Sequence, residues 1–152
     1  MEPISAEFNF TDALLLYSTA YCQRHKYRAT LGHILLTTDA FNRSMPMAFE
    51  LDDCLSRLMT GGYIKQQEEI FLVTKRGMDL FDDVTEIQTP KLTSIQQIKN
   101  LVISLNRSRA KNVSKSITIT DAQYSAAIKE AHEIFEEVKR EADQIAKARK
   151  ME

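Results

Sequence analysis

Leu55-Ser56-Arg57-Leu58-Met59-Thr60-Gly61-Gly62-Tyr63-Ile64, followed by Phe71-Leu72-Val73-Thr74-Lys75-Arg76-Gly77, decides how this chain is read. The first stretch completes an apolar stripe of Leu51, Cys54, Leu55, Leu58 and Met59 at helical spacing, with Glu50, Asp52, Asp53, Ser56 and Arg57 on other faces. Gly61-Gly62 ends that helix, because glycine takes the left-handed C-terminal position without steric cost. Tyr63-Ile64-Lys65-Gln66, a polar tip Gln67-Glu68-Glu69, and Ile70-Phe71-Leu72-Val73 then read as a β-hairpin. Thr74 is placed to cap a short fourth helix containing Met78, Leu80 and Phe81.

Toward the N-terminus two more helices precede this unit. Thr11-Asp12 opens one, with Leu14, Leu15, Tyr17, Ser18, Tyr21 and Cys22 at helical spacing and an end near Lys26. Thr30 opens the next, through Leu31, Ile34, Leu35, Thr38 and Phe41, and it must stop before Pro46, which disfavours a helical Met45. Three helices and then a hairpin resemble the winged-helix (winged helix-turn-helix) superfamily over about residues 8–84. The resemblance rests on the apolar helix, glycine turn, two wing strands and Thr-x-x-Gly helix start quoted above. It implies a mainly α protein whose N-terminal domain is three helices plus a β-hairpin wing. Leu55, Leu58, Ile64 and Phe71 should then be buried together with Leu15 and Ile34.

Beyond Thr89-Pro90 the pattern changes, and residues 91–152 read as a C-terminal helical extension. Thr93-Ser94-Ile95-Gln96 forms a capping-box pattern, followed by Ile95, Ile98, Val102 and Leu105, so a helix is expected to about Asn106 with a free apolar stripe. Arg107 to Ser116 has no apolar period and reads as a basic loop or frayed end. Thr120-Asp121-Ala122-Gln123 opens the longest periodic segment: Tyr124, Ile128, Ala131, Phe135, Val138, Ala142 and Ile145 alternate spacings of four and three, a coiled-coil heptad seam. Such a stripe must meet apolar surface, and a second copy of the chain is the expected dimerisation partner. The pattern alone does not decide between packing in cis and in trans.

With 152 residues, 43% of them apolar and 27% charged, the chain should fold around one core, or one core plus a helical extension. No apolar run approaches the roughly 20 residues of a membrane span, and Met1-Glu2-Pro3 does not begin like a signal peptide. Two well-separated cysteines give no disulfide framework. A cytoplasmic location and no membrane partner are therefore expected.

Catalytic chemistry has little to build on. Cys22, His25 and Cys54 lack the paired ligand spacing of a zinc site, and Cys54 falls on an apolar stripe. Asp52-Asp53 and Asp82-Asp83 are adjacent pairs that diverge on a helix, while His33 and His132 belong to no nucleophile or metal motif. No enzyme activity, metal or cofactor is expected.

Charge is unevenly distributed: residues 1–90 carry eight basic and thirteen acidic side chains, and residues 91–118 carry six basic and none acidic. The winged-helix resemblance implies double-stranded DNA as a partner, read by the third helix in the major groove. That helix leads with Glu50, Asp52 and Asp53, and the wing tip ends in Glu68-Glu69, both of which repel phosphate. DNA contact would have to draw on Arg43, Arg57, Lys75, Arg76, Arg107, Arg109, Lys111 and Lys115, giving weak or indirect binding. Two readings follow: a transcription-regulation protein that dimerises through its last helix, and a winged helix serving as a protein-protein interaction module without DNA.

Overall fold

The computed structural model describes residues 2–86 and 92–151, so the change of pattern expected at Thr89-Pro90 lies outside the described residues. In chain order the elements are β1 (Pro3–Ile4), α1 (Phe10–Arg24), α2 (Leu31–Asn42), α3 (Ala48–Thr60), β2 (Ile64–Gln67), β3 (Ile70–Val73), α4 (Lys75–Thr85), α5 (Ser94–Asn106), β4 (Val113–Ser114) and α6 (Asp121–Lys150). The protein is mainly α with a small antiparallel wing, and its order of helices and hairpin is compatible with a winged-helix-like fold.

Local chemistry accounts for most of these boundaries. Thr30, Thr74, Thr93 and Thr120 each accept a hydrogen bond from the third backbone N–H of their helices, as their positions in the sequence require. At the end of α3, Tyr63 N donates to Leu58 O (2.9 Å) and Gly62 N to Met59 O (3.1 Å). This paired closure needs Gly62 in the left-handed region, and its φ is 78°. In β2 and β3, Ile64 pairs with Val73 and Gln67 with Ile70, so Glu68-Glu69 forms a two-residue turn. A bridge from Thr30 to Ile70 adds a third edge to the wing.

One boundary differs from expectation. The cap of α1 is Asn9, not Thr11: Asn9 Oδ1 accepts from Asp12 N (3.0 Å), and Asp12 Oδ2 accepts from Asn9 N (2.8 Å). Asp12 still sits in the first helical turn, where the helix dipole favours an acid.

The expected core is present, since Leu15, Ile34, Leu55, Leu58, Ile64 and Phe71 are all buried in one cluster. Its centre is α1, which is buried on every side from Asp12 to Ala20 because α2, α3, α4 and α5 surround it. The core cluster includes residues from both sides of residue 90. Ile98, Leu101 and Leu105 of α5 are fully buried against α1 and α4, so the stripe read as free already belongs to the centre of the molecule.

The segment read as a basic loop also has structure. Pro3–Ile4 pairs antiparallel with Val113–Ser114, and Lys115 N donates to Glu2 O (2.8 Å). After this strand the chain turns into α6, which lies across α2. Gly32 makes that crossing close: a Cβ there would stand 2.8 Å from the backbone oxygen of Ala127 and 2.8 Å from Glu130 Cβ. Ala127 and Ala131 supply the matching small surface on α6, and Thr30 Oγ1 donates to Glu130 Oε1 (2.7 Å).

Gly32→Ala tests this contact. Alanine gains up to about 1 kcal/mol of helix propensity, whereas overpacking costs about 1–3 kcal/mol. A net loss of up to about 2 kcal/mol is expected, read as a lower urea midpoint. A midpoint that rises would mean that α6 does not sit on α2 at this distance.

Candidate functional site

The helix that would read DNA in a winged helix is covered. Leu51, Cys54, Leu55 and Leu58 face the core, but Asp52, Ser56 and Arg57 on the polar side of α3 are buried as well. Residues 113–119 cross this side and are held by it: Ser116 N donates to Ser56 Oγ (2.9 Å), Ile119 N to Asp52 Oδ1 (2.6 Å), and Lys115 Nζ lies 3.7 Å from Asp52 Oδ2. Asp52, expected on a solvated face, is thus an acceptor for a passing backbone. Phe49, at 67% exposure, is the largest open side chain of α3.

Arg57 is the clearest change in role. Its Nε and Nη2 donate to the two carboxylate oxygens of Asp12 at 2.9 and 3.1 Å, and Nη1 donates to Ser5 O at 3.1 Å. The pair is almost fully buried, so Arg57 ties α3 to α1 and to the N-terminal strand and cannot reach phosphate. Burial disfavours its charge, but the hydrogen bonds and charge of Asp12 outweigh this and raise its pKa.

The other expected nucleic-acid residues are scattered. Arg76 lies over the Tyr63 ring at 4.6 Å and donates to Ser108 Oγ (3.2 Å), which joins α4 to the turn after α5. Lys75 pairs with Asp79 at 3.1 Å, Lys115 with Asp52, and Arg109 approaches Glu7 at 4.0 Å. Arg43 is exposed in the α2–α3 turn, at φ 56°, and Arg107 and Lys111 are exposed in the turn after α5. Arg76 and the 107–111 turn are brought together by the bond to Ser108. Beside the wing, a cleft of about 550 Å³ between hairpin and α6 is lined by Glu68, Glu69, Glu130 and Glu133, which disfavours a phosphate backbone there.

The cysteines are structural. Cys54 is buried, and burial together with the nearby Asp12 charge holds its thiol well above the ordinary range. Burial likewise raises the Cys22 thiol, which meets Thr37 Oγ1 at 3.3 Å. Neither is a ready thiolate for nucleophilic or metal chemistry. Among the described residues, no group of three or more His, Cys, Asp or Glu could share a metal ion, and no helix is long and apolar enough to cross a membrane.

The seam of α6 divides in two. Tyr124, Ile128 and Ala131 pack toward α2 and its following turn, and Tyr124 Oη donates to Pro46 O (2.7 Å). Phe135, Val138 and Ile145 are 50%, 56% and 55% exposed, and Ala142 between them is also open. A shallow apolar groove of about 200 Å³ joins the two halves, with Leu36 and Met45 on one wall and Ile128 and Phe135 on the other.

Comparison of the chain with protein-family models, with curated proteins and with solved structures gave no match. The functional reading therefore rests on the topology and these surfaces.

Arg57→Ala would strand the Asp12 carboxylate without its partner in the core. A loss of about 3–5 kcal/mol is expected, measured by urea denaturation. A cost below about 1 kcal/mol would mean that the pair is open to water.

Proposed function

We propose that this chain is a non-enzymatic member of the winged-helix superfamily, of the transcription-regulator kind, that self-associates through the second half of α6. The observation that carries this is the open seam: from Phe135 to Lys150 no residue of α6 is buried, yet Phe135, Val138, Ala142 and Ile145 keep heptad spacing. These 16 residues extend for about 24 Å at 1.5 Å per residue. A lone helix of that length is marginal in water, and pairing two copies about a two-fold axis both covers the apolar stripe and stabilises the helix.

Duplex DNA is not read by α3 in this proposal, because its polar side is occupied by residues 113–119 and Arg57 is committed to Asp12. Weak, phosphate-directed contact falls to the exposed Arg107 and Lys111. The protein-interaction reading without DNA is supported by the acidic cleft beside the wing, lined by Glu68, Glu69, Glu130 and Glu133.

Phe135→Glu combined with Val138→Glu places two charges in the open seam and leaves Tyr124, Ile128 and Ala131 on α2. Light scattering at tens of micromolar should give a dimer mass for the natural chain and a monomer mass for the double variant, with little change in stability of the body. A natural chain that is monomeric at that concentration removes self-association from the proposal.

A further inference from the structure

The end of α1 and the loop to α2 carry Arg24-His25-Lys26-Tyr27-Arg28, a compact mixture of rings and cations inside a region of net negative charge. Its rings form a line. Tyr21 and His25 lie 4.1 Å apart, His25 and Tyr27 6.2 Å, and Tyr27 and His33 4.9 Å, the last two pairs with their planes within 23° of parallel. The line is rooted in the core, since Tyr21 meets Phe41 at 5.2 Å, Phe41 meets Tyr17 at 5.1 Å, and Tyr17 meets buried Phe81 at 5.1 Å. It surfaces at Tyr27, which is 49% exposed and whose ring lies farther from His25 than from His33.

The loop is held in shape by its backbone. Lys26 N donates to Gln23 O (3.1 Å), Tyr27 N to Cys22 O (2.8 Å), Thr30 N to Arg28 O (2.9 Å), and Phe71 N to Ala29 O (2.9 Å). Lys26 takes a left-handed conformation, φ 62°, which is uncommon for a lysine and persists where surrounding bonds enforce it. The charges are also sorted. Arg24 is engaged by Asp82, and Glu130, the acid that acts on His33, accepts from Thr30. Lys26 and Arg28 are exposed and make no ion pair among the described residues.

We propose that this loop binds single-stranded nucleic acid, with a base stacked on Tyr27 and the flanking phosphates met by Lys26 and Arg28. Single strands present free base faces, which a duplex keeps stacked on one another, and a ring between two cations suits the alternation of phosphate and base. An acidic peptide would use the cations but would leave the exposed ring without a role. The site is separate from the open seam of α6, so its test does not depend on self-association.

The test is fluorescence anisotropy with the full chain, using a labelled fifteen-residue oligothymidylate and a duplex of the same length at two salt concentrations. The single strand should bind more tightly than the duplex. Tyr27→Ala and Tyr27→Leu should weaken it about tenfold, and Tyr27→Phe should not. Lys26→Gln with Arg28→Gln should reduce the salt slope by about 1.4. Leucine keeps the bulk without the aromatic face, so circular dichroism on that variant separates lost stacking from lost folding. Absence of binding, equal affinity for duplex, insensitivity to Tyr27→Leu in a folded variant, or equal displacement by an acidic peptide and by unlabelled oligothymidylate would each overturn the proposal.

Discussion

At the crossing of α1 and α3, Asp12 and Arg57 meet in two hydrogen bonds and are almost fully removed from water. Such a pair adds less to stability than its close geometry suggests, because desolvation offsets much of the attraction, but removing one partner is costly. Its main effect is on orientation. With Arg57 committed to α1, the polar side of α3 turns toward the N-terminal segment and residues 113–119, and Asp52 and Ser56 become acceptors for the backbone of Ile119 and Ser116. The direction of residues 113–119 then leads the chain into α6 over α2, where Gly32 lets the helices approach. A side chain that the resemblance assigns to a DNA groove instead joins α3 to α1 and to the N-terminal segment.

Much of the architecture was legible from short-range chemistry. The helix starts at Thr30, Thr74, Thr93 and Thr120, the stop at Gly61-Gly62 and the hairpin all depend on side chains within a few residues of the feature they specify. Less legible features depend on distant partners. Arg57 and Asp12 are 45 residues apart, Ser116 and Ser56 are 60 apart, and the polar side of α3 looks solvated in any local window. Strands of two residues, Pro3–Ile4 and Val113–Ser114, are too short to show alternation. The apolar stripe of α5 was visible, but periodicity does not say which surface a stripe meets.

Surface chemistry was harder still. Dividing the chain at residue 90 gave an acidic first part and hid the local run Arg24 to Arg28, although its cations and rings are plain in the sequence. What no sequence window could show is that Tyr21, His25, Tyr27 and His33 come into one line, because that requires α1 to end and α2 to begin beside the wing. The seam of α6 was readable as a stripe. Its division into a half seated on α2 and a half in the open follows from where the body of the protein ends.

The pairing of Pro3–Ile4 with Val113–Ser114 also has a consequence for the order in which a ribosome delivers the chain. The first strand emerges more than a hundred residues before its partner, and the polar side of α3 emerges well before the segment that covers it. Until residue 119 has been translated and released from the tunnel, Asp52 and Ser56 must be satisfied by water. The helices around α1 can gather early through nearer contacts, but the strand, the covering segment and α6 close late, as a long loop brought home in one final step. A nascent chain of this protein therefore exposes a α3 surface that the finished molecule never presents.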